Sequence, residues 1–185
     1  MAFLQRPDPK SPPDQAPPTA PQNQQFGAMQ VGGQMPDPSY GCGCALTHCY
    51  AELMLLYLLL SGIHRNISGA NFYSLHLLFH DLYERVEKDA DRIGEHIRGD
   101  YNLKLPMCPS RLDEYSRINF PADDADPHTL IMSAVVAHKV LAEVIQTALC
   151  EHDDSQVCNS GTESILESLT EECSNRQYLL KSHLQ

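Results

Sequence analysis

The chain has 185 residues, a hydrophobic fraction of 42% and a formal net charge of −11. That length suits one domain plus an appendage, and the apolar fraction is enough for a real core. The acidic balance argues against nucleic acid as the default partner, because phosphate contacts need Lys and Arg, and it suits a surface that attracts cations.

No secretory signal is visible, since Met1–Lys10 already carries Arg6 and two prolines around a very short apolar stretch. The longest apolar run, Leu53–Leu60, is too short to span a bilayer, so a soluble cytoplasmic protein without membrane contact is expected. The seven cysteines are Cys42, Cys44, Cys49, Cys108, Cys150, Cys158 and Cys173. An odd number in a chain without an export signal points to reduced thiols or metal contacts rather than a disulfide framework.

Residues 1–40 are expected to form a tail. Nine of the 13 prolines fall between Pro7 and Pro38, among Gln, Asp, Gly and Ser, so the segment cannot bury enough apolar surface to offset its ordering entropy. Residues 41–185 read as an all-α four-helix bundle, with helices at about 45–63, 71–98, 128–151 and 162–183. The first helix is apolar on nearly all sides through Leu53–Leu60, which predicts cover from its own bundle on one side and from another subunit on the other. A break at Asn66–Ala70 leads into the second helix. There Leu75, Leu78, Phe79, Leu82, Val86, Ala90, Ile93 and Ile97 keep helical spacing, with Gly99 as the expected stop.

A long crossover, Asp100–Pro127, is punctuated by four prolines and leaves room for a small helix at about Ser110–Arg117. Asp123, Asp124 and Asp126 within it read as solvated turn residues. The third helix presents Ile131, Val135, Val140, Val144, Ile145 and Leu149. The fourth opens near Gly161, with Thr162 as its expected N-cap, and points Ile165, Leu169, Cys173 and Leu180 inward. No strand pattern competes, and a long crossover between helices two and three fits a ferritin-type bundle.

The second helix carries the chemistry. His76, His80, Glu84, Glu87, Asp91 and Glu95 fall within about 100° of one another at 100° per residue, so they share one stripe. Imidazoles and carboxylates together suit iron, manganese or zinc, although a charged solvated face has the same composition. His76 and Glu95 stand 19 residues apart, about 28 Å along a helix. They cannot meet on one ion in one chain, whereas two copies packed antiparallel about a twofold axis bring opposite ends of the stripe together.

His64-Arg65-Asn66-Ile67-Ser68-Gly69, then Phe72, Leu75, His76, Phe79 and Tyr83, then Asp91 and Glu95, resembles the Dps mini-ferritins, DNA-binding proteins from starved cells. The likeness runs from about Ala45 to the end and includes Leu112-Asp113-Glu114-Tyr115 in the crossover. It implies a ferroxidase: His64 and His76 of one subunit and Asp91 and Glu95 of another bind iron. Fe(II) is then oxidised by hydrogen peroxide or O2, and ferric oxide is stored in a hollow dodecamer built from twofold dimers, which protects against oxidative damage. His80 stands where many relatives have an acidic residue, leaving it a ligand, a group behind the ligands, or neither. Arg65 stands where a tryptophan is frequent, and the chain has no Trp, so Tyr83 or Tyr73 is left as the aromatic substitute. Residues 1–63 contain only Arg6 and Lys10 as cations, so the lysine-rich tail that lets some members coat DNA is missing and DNA binding is not expected.

Two further groups are candidates. Cys42, Cys44, His48 and Cys49 cluster at the start of the first helix, where thiolates and an imidazole would suit zinc, with core packing of Cys49, an interchain disulfide or free thiols as the alternatives. Glu151, Asp153 and Asp154 close the third helix and would suit an iron-entry pore in a cage, or an ordinary acidic loop. A metal site inside the single bundle would need Glu-x-x-His patterns that the fourth helix lacks. The competing reading of the whole chain is a non-catalytic Dps-like shell or scaffold with a degenerate metal site.

Overall fold

A computed structural model describes residues 41–155 and 160–184, with side chains described over 43–149 and 160–184. The helices in chain order are α1 (Gly41–Asn66), α2 (Phe72–Asp100), α3 (Pro109–Asp113), α4 (Pro127–Ser155) and α5 (Ser160–Lys181). Among the described residues all regular structure is helical. The four long helices are the expected bundle, and α3 is the short helix of the crossover, ending four residues sooner than the sequence pattern suggests. The expected tail, residues 1–40, lies outside the described residues.

Helix α1 sits centrally, packed against α2, α4 and α3. Leu46, Leu53, Leu55, Leu56, Leu59 and Leu60 are all buried within this one chain. Helices α2 and α4 and the crossover helix α3 supply the expected cover from its own bundle, leaving Leu58 exposed, at 41%, and Met54 and Tyr57 half-buried. Segments Gly43–Asn66 and Pro127–Leu149 are long and apolar enough to cross a membrane by length and composition, but they are the helices that carry the bundle core.

One carboxylate interrupts the apolar α1. Glu52 is fully buried, and its two oxygens accept from Ser116 Oγ at 2.6 Å and from the Arg117 amide at 2.8 Å. His48, one turn earlier, donates from Nδ1 to the Tyr115 carbonyl at 2.8 Å. These contacts give the crossover backbone internal partners and pin it to α1.

Helix α2 buries Leu75, Phe79, Leu82, Val86, Ala90, Ile93 and Ile97, as their spacing predicts. It runs past the expected stop at Gly99 to Asp100. The left-handed position that ends it belongs to Asn102, at φ 52°, a residue type that tolerates this region. In the α1–α2 connection Gly69 takes φ 96°, open to glycine at low cost.

Asp126 caps α4. Its carboxylate accepts from the Thr129 amide at 3.1 Å and from the Thr129 hydroxyl at 2.6 Å, which holds its pKa below the usual carboxylate value. The loop aspartate is therefore a helix cap rather than a plain turn residue. In α5, Ile165, Leu169, Cys173 and Leu180 point inward as expected. Thr162 does not stand at the N-cap, because the helix begins at Ser160; it is buried in the first turn instead.

Candidate metal centre

The short connection after α1 folds the start of α2 back beside the end of α1. This brings His64 and His76 together within one chain. Their rings stack with centroids 3.8 Å apart and an interplanar angle of 22°. Nδ1 of His64 donates to the His76 carbonyl at 2.9 Å, and Nδ1 of His76 donates to the His64 carbonyl at 2.9 Å. A carbonyl only accepts, so Nδ1 of each ring carries a proton, and in the neutral form Nε2 keeps its lone pair. Fixing one ring nitrogen by a backbone carbonyl so that the other can bind a metal is the usual orienting device of histidine ligands.

Aromatic rings frame the pair. Phe72 lies 5.0 Å from the His76 ring, and Tyr83 meets His64 edge-on at 5.3 Å. His80 lies 5.4 Å from His64, but both of its nitrogens are engaged on α2. Its Nε2 pairs with Glu84 Oε1 at 3.2 Å, and its Nδ1 accepts from Tyr83 Oη at 2.7 Å. Arg65 folds back along α1, and its guanidinium donates to the Ser61 carbonyl at 2.6 Å and to the Ser61 hydroxyl.

Asp91 and Glu95 lie further along the same face, where they line a cavity of about 420 Å³ with Tyr50, Met54, Tyr57 and Glu87. Both carboxylates are exposed. Tyr50 has its phenol pKa raised, first by burial and then by the Asp91 charge. Tyr57 joins the two halves of the stripe, since it lines this cavity and packs edge-on against Tyr83 at 6.0 Å. Gly94 permits the close approach of α1 and α2 here: a Cβ would lie 3.2 Å from the Tyr50 ring and 3.3 Å from Leu105. Among the described residues, no three His, Cys, Asp or Glu side chains of one chain converge on a point that could hold a metal ion.

The N-terminal cysteine cluster gains no support as a zinc site. Cys49 is wholly buried in the core, His48 spends Nδ1 on the Tyr115 carbonyl, and the Cys42 side chain lies outside the described residues. The side chains of Glu151, Asp153 and Asp154 also lie outside them; only their backbone, in the last turns of α4, is described.

The sequence reading missed two further polar groups. Thr162 Oγ1 lies 2.7 Å from His96 Nε2 and 2.7 Å from Tyr101 Oη, with His96 Nδ1 3.4 Å from Asp100, latching the end of α2 to the start of α5. Deep in the bundle, Arg176 pairs with Asp89, and with Glu172 at 3.3 Å, beside the wholly buried His138. An arginine among the inward positions of α5 was the sequence signal for the second group.

No protein-family model and no curated protein matches the sequence. Solved structures do match the fold. A Dps protein from Bacillus brevis superposes with a TM-score of 0.72 at 19% identity, covering 78% of this chain and 95% of that one. A Dps protein from Vibrio cholerae O1, described as a member of a broad superfamily of ferritin-like diiron-carboxylate proteins, matches with a TM-score of 0.72 at 20% identity over 78% and 89% of the two chains. Dps from Listeria monocytogenes also matches with a TM-score of 0.72, at 18% identity over 79% and 94%. The chain has the fold of the Dps proteins, a ferritin-like four-helix bundle.

Proposed function

We propose that the protein is a Dps-type mini-ferritin that oxidises Fe(II) at sites shared between subunits and stores the ferric product inside a homo-oligomeric cage, a dodecamer built from twofold dimers. The observation that carries this reading is the stacked His64–His76 pair, with both Nδ1 atoms tied to backbone carbonyls and both Nε2 atoms left as donors. Asp91 and Glu95 of a second, antiparallel copy complete the donor set. Iron is the substrate here. The imidazoles hold it at one wall, the carboxylates neutralise its charge and favour Fe(III) over Fe(II), and two donors from each subunit leave positions for the oxidant. With hydrogen peroxide the balance is two Fe(II) giving one electron each, the O–O bond breaking, and two protons completing two waters.

His80 serves as a partner of Tyr83 and Glu84 rather than as a ligand, because both its nitrogens are engaged. The net charge of −11 supports a protein that works without DNA. The test is peroxide-dependent Fe(II) oxidation by the wild type and by Asp91→Ala/Glu95→Ala. The wild type is expected to oxidise iron rapidly and the variant at the protein-free rate. Equal rates for the two would favour the non-catalytic shell.

A further inference from the structure

The interior of the bundle contains polar atoms that no protein group among the described residues satisfies. His138 of α4 is fully buried and donates from Nδ1 to the Ala134 carbonyl at 2.8 Å. That bond leaves its Nε2 with a lone pair, and Nε2 has no hydrogen-bond partner among the described residues. Arg176 of α5 is 1% exposed and turns one nitrogen, Nη2, to Asp89 and Glu172. Its Nε and Nη1 are also without acceptors among the described residues. Cys173, one turn before Arg176, points its thiol at the His138 carbonyl, 3.8 Å away, so His138 and Arg176 belong to one stretch of the α4–α5 seam.

The chemistry of these groups selects what can satisfy them. His138 offers an acceptor without a donor, and Arg176 offers donors without an acceptor. An anion would satisfy the guanidinium but would present a second acceptor to Nε2, and Asp89 and Glu172 already outweigh the single positive charge of Arg176. A metal cation would suit Nε2 but would be repelled by the guanidinium. A neutral molecule that both donates and accepts fits both walls, and water is the smallest of these. Burial of His138, helped by the nearby Arg176 charge, lowers its pKa to about 4, which keeps Nε2 an acceptor at neutral pH.

We propose that buried water occupies the α4–α5 seam, donating to His138 Nε2 and accepting from the guanidinium of Arg176. Nε–H and Nη1–H leave the guanidinium on different edges, so one oxygen cannot accept both. The site is a short water chain rather than a single molecule. It makes the joint between α2, α4 and α5 a solvated polar seam, separate from the His64–His76 pair.

The test is a high-resolution crystal structure of the wild-type assembly, from native crystals and from crystals soaked in bromide or manganese. The expected result is oxygen density at about 2.7–3.2 Å from both His138 Nε2 and an Arg176 nitrogen, with no anomalous signal there after either soak. A dry seam, a bromide peak or a manganese peak would each overturn the proposal.

Discussion

Two double variants test whether the metal site is shared: His64→Ala/His76→Ala and Asp91→Ala/Glu95→Ala. His76 and Asp91 are separated along one α2 helix by 15 residues, about 22 Å at 1.5 Å per residue. A shared site draws its imidazoles from one copy and its carboxylates from the other. Each variant assembled alone therefore lacks half of every site and should be inactive. When the two are unfolded together and reassembled in equal amounts, half of the dimers are mixed. In a mixed dimer one site collects both defects and the other collects none. Random pairing therefore restores about one quarter of the wild-type sites, and initial rates of peroxide-dependent Fe(II) oxidation should recover by that fraction. The control is the two variants assembled separately and then mixed. If co-assembled protein oxidises iron no faster than this control, the sharing of the site between copies is wrong.

Other outcomes follow from the packing and the buried polar groups. Phe79 is fully buried on α2, and Phe79→Ala should cost about 3–5 kcal/mol by denaturant unfolding. Glu52→Ala leaves the Arg117 amide and the Ser116 hydroxyl without their acceptor and should cost about 1.5–3 kcal/mol in the same assay. His138 has its pKa lowered to about 4 by burial, so the unfolded chain takes up its proton first. Its contribution is complete above about pH 6.5 and is lost as the pH falls toward 4, about 3 kcal/mol in all. Melting temperatures of the wild type should drop across that window more steeply than those of His138→Leu, and parallel curves would contradict the assignment. Cys108 is exposed and its thiolate is favoured, first by the Ser110 hydroxyl, whereas burial pushes Cys173 up to about 12. Alkylation of the native protein at pH 8, mapped by mass, should label Cys108 and spare Cys173.

The sequence makes α2 legible because one face is apolar at helical spacing and the other is charged, and every inward position read from that spacing is buried, apart from the half-buried Leu78. It identifies α1 as a helix but does not name its neighbours. An all-round apolar helix says that it is surrounded, while only the packing of α2, α3 and α4 says by what. Helix ends depend on single dihedrals and hydrogen bonds, which is why Gly99 yields to Asn102 and Thr162 moves inside its helix. His64 and His76 could be paired from their likeness to a family motif, but their exchange of hydrogen bonds involves main-chain carbonyls, which no residue pattern records. The His138–Arg176 seam joins residues from α4 and α5 whose neighbourhood exists only after the bundle closes.

The hydrogen bonds of the histidine pair run from each ring to the other residue's backbone. A substitution at one position removes a ring but not the carbonyl that steers the other. The surviving imidazole therefore keeps its bearing, and the two donors fail independently. A single histidine variant should bind iron weakly at a site that keeps three of its four donors, correctly aimed, so the arrangement tolerates the loss of either ring alone.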